Sequence, residues 1–171
     1  SMGFTPLDGV VMGTRCGSID PAVVTYLINN CGMSAKEVDA MMNKKSGVLG
    51  VSGISSDFRD LSKAAAEGNE RAQLAVHMFY YSVKKLIAAY AAAMGGVDAV
   101  VFTGGIGEND AKYRLAITEG LEFMGIKIDA EKNNVRGVTK DISADDASVK
   151  ALVIPTNEEL MIAIDTERLC K

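Results

Sequence analysis

Three stretches of the chain hold residue types and spacings suited to phosphate chemistry. The first is Val100-Val101-Phe102-Thr103-Gly104-Gly105-Ile106-Gly107-Glu108-Asn109. An apolar run of buried-strand type meets a glycine cluster and then a helical segment. Glycines let the backbone approach a ligand closely, and amides at a helix start attract anions. The run is neither the dinucleotide fingerprint nor a P-loop, since no Gly-Lys-Ser/Thr follows. Its spacing leaves two readings open: a nucleotide- or phosphate-binding loop, and an ordinary tight strand-to-helix turn. The second stretch is Met12-Gly13-Thr14-Arg15-Cys16-Gly17. An arginine between glycines can reach into a cleft and fork onto phosphate oxygens. Local sequence by itself favours the plainer reading, a surface arginine on a flexible turn. The third is Thr156-Asn157-Glu158-Glu159, which follows another apolar run. A helix capped by Thr156, with acids near its positive end, explains most of that pattern. The chemical alternative makes one glutamate a magnesium ligand, directly or through water.

Other candidates are weaker. Asp57-Phe58-Arg59-Asp60 opens a helix, and a cap with an ion pair accounts for it. His77 lies inside a long helical stretch, where a lone histidine reads as a packed residue. Cys16 sits beside Arg15, an environment that can lower a thiol pKa, but no histidine lies near it in sequence to make it a nucleophile.

These residues need elements to carry them. The segment 7–13 reads as a loop and then a short strand. Asp20-Pro21 starts a helix over 22–30, and Ser34 with Glu37 forms a capping box for another over 35–43. Ser46 to Gly53 reads as a loop. A short helix follows over 57–66 and the longest helical stretch over 70–94, the latter with Leu74, Phe79, Val83, Leu86, Ile87 and Tyr90 at helical spacing. Strands are expected over 97–102 and 149–154, a shorter one over 126–128, and helices over 110–124 and after Thr156. The stretch 133–148 reads as a polar surface excursion. Strands alternating with helices give an α/β class. Two strong strands make a poor sheet, so neighbouring strands are expected from elsewhere.

Composition narrows the function classes. The chain has 171 residues, net charge −4 and 48% hydrophobic residues, which suits a globular domain and offers no chain-wide basic face for nucleic acid. Lys44-Lys45 and Lys84-Lys85 are isolated pairs expected on solvated faces. Three cysteines without close spacing fit free thiols in a reducing cytosol, a cytoplasmic expectation. The longest apolar stretch, Leu86 to Val101, is interrupted by Gly95, Gly96 and Asp98, so no membrane span is expected.

Taken together and in order, Ser1-Met2-Gly3-Phe4-Thr5-Pro6-Leu7-Asp8-Gly9, Met12 to Arg15, Asp57 to Arg59, Gly104 to Asn109 and Ile154 to Glu159 resemble the acetate kinase family. The resemblance covers essentially the whole chain. It implies a ribonuclease-H-like, actin-like ATPase fold and phosphoryl transfer between ATP and acetate, giving ADP and acetyl phosphate, with Mg2+. It also implies roles. Arg15 is similar to the family arginine that stabilises the phosphoryl group in flight. Pro6 resembles part of the pocket for the acetate methyl. Asp57, Phe58 and Arg59 match the adenosine-side segment, and Gly105, Ile106, Gly107, Glu108 and Asn109 match the nucleotide- and phosphate-side loop. Glu158 resembles the magnesium-site glutamate. Ser18 departs from the pattern, standing where an acid is common.

The resemblance further implies that residues 1–171 are a carboxy-terminal nucleotide-binding domain, incomplete and lacking the amino-terminal half of the site. The chain alone is then expected to be inactive. A homodimer through this domain is implied; helix 70–94 is the dimerising surface in the alternative reading of a non-catalytic module. Neighbouring readings are a propionate or butyrate kinase, a non-catalytic dimerisation module, and a sugar-kinase or chaperone-type ATPase piece, which lacks the Met-Gly-Thr-Arg and Thr-Asn-Glu-Glu segments.

Overall fold

The structure, a computed structural model, describes residues 2–170. It divides into two compact units, the first reaching Tyr90 and the second beginning at Ala91.

The first unit is helical. After an irregular stretch it forms α1 (Ala22–Cys31), α2 (Ala35–Lys44), α3 (Gly47–Ser52), α4 (Phe58–Ala66) and most of α5 (Glu70–Met94). Local chemistry sets several boundaries. Asp20 Oδ1 accepts the Ala22 amide at the start of α1, and Pro21 occupies its N-cap. The expected capping box is present at α2: Ser34 Oγ accepts the Glu37 amide, and Glu37 Oε2 accepts the Ser34 amide. Asp57 caps α4 by accepting the Arg59 amide at 2.8 Å. Val38, Val48, Leu61, Ala72, Ala75, Val76 and Phe79 are buried, and the rings of Phe58 and Phe79 meet with centroids 4.6 Å apart.

Several expectations fail here for physical reasons. Segment 7–13 forms no strand; the Gly9 carbonyl accepts the Ser18 amide, and the Met12 and Gly13 carbonyls accept amides at the start of α3 rather than of a ladder. Segment 46–53 is not a loop, because Gly47 takes up φ +64° and lets α3 begin there. The apolar stripe expected on α5 is not the one that packs. Leu74 and Tyr90 are exposed, and of that stripe only Phe79 is buried, beside Ala72, Ala75 and Val76. Small residues allow the closer approach, so they occupy the packed face. His77 is exposed rather than packed.

The second unit holds the sheet. β1 (Ala99–Phe102), α6 (Gly104–Gly107), α7 (Ala111–Thr118), a 3-10 turn (Glu122–Met124), β2 (Lys140–Asp141), β3 (Lys150–Val153) and α8 (Glu158–Leu169) follow the end of α5. Among the described residues the sheet has three strands in the order β1-β3-β2. β1 runs parallel to β3, with Ala99 opposite Lys150 and Phe102 opposite Val153. β2 is antiparallel to β3. The strand expected over 126–128 is reduced to two isolated bridges, Ile126 with Val149 and Ile128 with Ser143. The helix expected over 110–124 stops at Thr118 and resumes as the 3-10 turn after Gly120. The excursion expected over 133–148 is only partly on the surface. Asn133, Ile142 and Ser143 are buried, and β2 lies within it. Phe102, Tyr113, Ile117, Leu121, Ile126, Ile142, Val149, Ala151 and Val153 form the core. Among the described residues no helix is long and apolar enough to cross a membrane.

Candidate functional site

The candidate residues fall into both units, and each group has its own scaffold. In the first unit Arg15 is not on a flexible turn. The carbonyls of Met12, Gly13 and Thr14 accept the amides of Val48, Leu49 and Ser46, so the turn sits on the amino-terminal end of α3. Amides there lack intrahelical acceptors, and the turn supplies them. Thr14 Oγ1 donates to the Asn43 carbonyl at 2.9 Å, and the Cys16 amide donates to the Met42 carbonyl at 3.0 Å. Gly47 is essential to this seat, because a Cβ added there would lie 2.2 Å from the Met12 carbonyl oxygen.

Arg15 Nη1 donates to the Pro6 carbonyl at 2.9 Å, so two sequence candidates meet directly. The loop between them is closed by Asp8, which accepts from Ser18 Oγ at 2.5 Å and from the Gly9 amide at 2.8 Å. The Ser18 hydroxyl, then the Gly9 amide, hold the Asp8 carboxyl below its usual range. Ser18 therefore has a role of its own in holding this loop. Cys16 behaves opposite to expectation: burial pushes its thiol pKa up. All three cysteines are free.

Asp57 and Arg59 form the expected cap and ion pair. Arg59 Nη2 lies 2.6 Å from Asp57 Oδ2, and Arg59 is largely exposed. The guanidinium, then the Arg59 amide, hold the Asp57 carboxyl down to about 2. This segment adjoins the Arg15 turn: a Cβ added at Gly13 would lie 3.0 Å from the Ser56 carbonyl oxygen.

In the second unit the carboxyl ends of the parallel pair β1 and β3 open side by side, where open α/β sheets place ligands. Beyond β1, Gly105, Ile106 and Gly107 lie in the single turn α6, followed by Glu108 and Asn109. Beyond β3 comes Thr156, then Asn157 and Glu158 at the start of α8. The helix cap is Asn157, whose Oδ1 accepts the Leu160 amide; Thr156 was the expected cap. Thr156 is instead drawn to the other turn. Its hydroxyl lies 2.5 Å from that of Thr103, and its amide donates to Glu108 Oε2 at 3.0 Å. The glycine turn and the approach to Glu158 are thus joined. Glu158 is exposed.

One supporting residue was invisible in the sequence. Arg114 is fully buried, with 0% exposure. Its guanidinium donates to the carbonyls of Gly107, Asn133 and Val135 and to Asn133 Oδ1, at 2.7 to 2.9 Å. Burial lowers its pKa and the Asp110 charge opposes this. Lys112 and Arg114 read alike as helix surface; only the carbonyls of an irregular segment distinguish them. Among the described residues no buried side-chain polar atom lacks a partner.

The small mixed sheet with helices packed on it, opening at a glycine turn, is shared with solved acetate kinases of the actin-like ATPase fold. The chain superposes on acetate kinase from Porphyromonas gingivalis with TM-score 0.94 at 50% identity, covering 100% of this chain and 43% of that one. Propionate kinase from Francisella tularensis gives TM-score 0.88 at 46% identity, over 95% of this chain and 41% of that one. Among curated proteins, acetate kinase of Methanosarcina acetivorans is 60% identical over 171 residues, which are 100% of this chain and 42% of that protein. Acetate kinase of Methanosarcina barkeri is 62% identical over 99% of this chain and 41% of its own length. Residues 1–164 match the acetokinase family. The chain belongs to that family, and it spans about two-fifths of the length of the curated relatives it matches.

Proposed function

We propose that this chain is the carboxy-terminal, nucleotide-binding part of an acetate kinase, which transfers a phosphoryl group between ATP and acetate to give ADP and acetyl phosphate. The observation that carries the reading is identity of about 60% along the whole chain to curated acetate kinases. Arg15 would then stabilise the charge on the phosphoryl group in flight, as phosphoryl transfer requires. Its seat on α3 and its bond to Pro6 support that role by fixing the turn before substrate arrives. Pro6 lies beside it as part of the acetate pocket. Asp57, Phe58 and Arg59 would face the adenosine, and Gly105 to Asn109 the nucleotide phosphates. Glu158 is the magnesium ligand in this reading. Among the described residues no cluster of three or more His, Cys, Asp or Glu could hold a metal. A single carboxylate still fits magnesium, which is commonly held by one or two carboxylates together with phosphates and water. When bound, the ion would supply charge neutralisation on the phosphates.

The same reading makes the protein cytoplasmic and homodimeric. Exposed Leu74, Met78 and Tyr81, spaced four and three residues apart on one face of α5, support an interface there. It also makes the 171-residue chain inactive alone, because residues of the site lie outside it. The test is magnesium-dependent acetyl phosphate formation by two proteins. One is the 171-residue chain. The other is this chain preceded by the remaining amino-terminal portion of the Methanosarcina acetivorans relative. The joined protein should be active and should lose about a thousandfold with Arg15→Ala; the chain alone should show nothing. Activity of the chain alone refutes the inactivity. A folded joined protein that stays inactive refutes the assignment. The propionate kinase likeness gives a second reading. Turnover of propionate above acetate by the joined protein would establish it.

A further inference from the structure

We infer that the Glu108 carboxylate is a positioning group that ties the glycine turn to the start of α8. This deepens the proposed function and rests on its placement of nucleotide at 105–109 and magnesium at Glu158. Both ends of Glu108 are engaged. Its carbonyl accepts the Gly137 amide at 2.9 Å, and its carboxylate accepts the Thr156 amide at 3.0 Å. Thr156 stands two residues before Glu158, immediately ahead of the cap residue Asn157. An amide held there fixes the chain path into the helix and so the point from which Glu158 projects. The Thr103 and Thr156 hydroxyls make a second tie between the same two turns. Asn109 follows the same pattern. Its Nδ2 donates to the Gly105 carbonyl at 3.1 Å, and its Oδ1 accepts from Arg136 Nε at 3.3 Å. The polar side chains of the loop thus turn inward to its own scaffold. Contacts to a ligand are left to the glycine backbone.

A tether of this kind couples the two halves of the proposed site. Nucleotide that settles on the glycine turn and magnesium that settles at Glu158 then favour one arrangement of the same joined turns. Such coupling is a shared free energy, and each ligand tightens the other by the same factor.

The experiment uses the 15N-labelled 171-residue chain and the variants Glu108→Ala and Glu108→Gln. ADP affinity is measured with and without Mg2+, and exchange of the Thr156 amide is measured in parallel. Glu108→Ala should remove a magnesium enhancement of ADP affinity of about fivefold or more. It should also speed Thr156 amide exchange by about tenfold, the worth of one hydrogen bond to a charged acceptor. Glu108→Gln keeps an acceptor oxygen and should restore both. Two results overturn the inference: Thr156 exchange unchanged in Glu108→Ala, or the magnesium enhancement of ADP affinity kept in full by that variant. If the unsubstituted chain binds no ADP, the nucleotide reading fails on its own. Thr156 exchange in the two variants then still upholds or overturns the tether.

Discussion

Replacing Arg114 by methionine keeps a long flexible side chain but removes every donor that reaches the Gly107, Asn133 and Val135 carbonyls and Asn133 Oδ1. The perturbation is severe because these acceptors belong to segments without a ladder of their own. Each buried acceptor left without a donor costs about 1–3 kcal/mol. The Asn133 carbonyl keeps the Val135 amide at 2.7 Å, so three acceptors lose their donor and set a gross loss of roughly 3–9 kcal/mol. Against this stands relief from burying a guanidinium, which is several kcal/mol per ion after relaxation. The acceptors are all neutral, so no counter-charge is stranded when the cation goes. A net loss of about 3 kcal/mol is expected, within the range that broken buried networks give. Urea unfolding of the 171-residue chain, followed by circular dichroism, measures it. Arg114→Lys should recover only part, because one ammonium cannot reach acceptors on three separate residues as a planar fork does. A loss below about 1 kcal/mol for Arg114→Met would show that water or backbone shifts serve the carbonyls equally well and would refute the reasoning. Full recovery by lysine would refute the geometric part of it.

Two further outcomes follow from the first unit. Asp57 has a folded pKa of about 2, below its unfolded value, so its cap is fully formed above the unfolded pKa and is lost as pH falls through about 2. NMR titration should place its midpoint near 2, and Arg59→Ala should raise that midpoint towards the ordinary carboxylate range; no movement would rule out the ion pair as the cause. Gly47→Ala should destabilise more than Gly32→Ala. Both glycines have positive φ, near 64° and 70°, so both substitutions incur backbone strain of about 1–2 kcal/mol. Only at Gly47 would the new Cβ strike a carbonyl, at 2.2 Å, whereas nothing lies within 4 Å at Gly32. Equal losses in thermal unfolding would mean the Arg15 turn shifts without cost.

Features set by neighbours in sequence were legible before the structure. The Ser34–Glu37 capping box and the Asp57 cap each need only three or four consecutive residues, and both are present. The two main strands stood out for a similar reason, as continuous apolar runs ended by glycine or proline. The seat of Arg15 was not legible. It depends on α3, whose residues Gly-Val-Leu-Gly-Val-Ser resemble a loop until Gly47 is known to adopt positive φ. Local sequence casts Thr156 as a cap because its partners, Thr103 and Glu108, are remote in sequence and offer no local signal. Arg114 carries no local signal for the same cause. Its acceptors are main-chain carbonyls, and any residue type can supply those.

The parallel pairing of β1 with β3 also has a kinetic consequence. The contacts that join the glycine turn to α8 link residues 48 and 53 apart along the chain. Everything between them must be gathered before either bond can form, and the entropy of closing that loop is lost before any contact rewards it. Helices α7 and α8 can flicker into existence early, because their bonds are local. The joined turns cannot. They should appear late in folding and together, so a partly folded second unit would have its helices and still have no site.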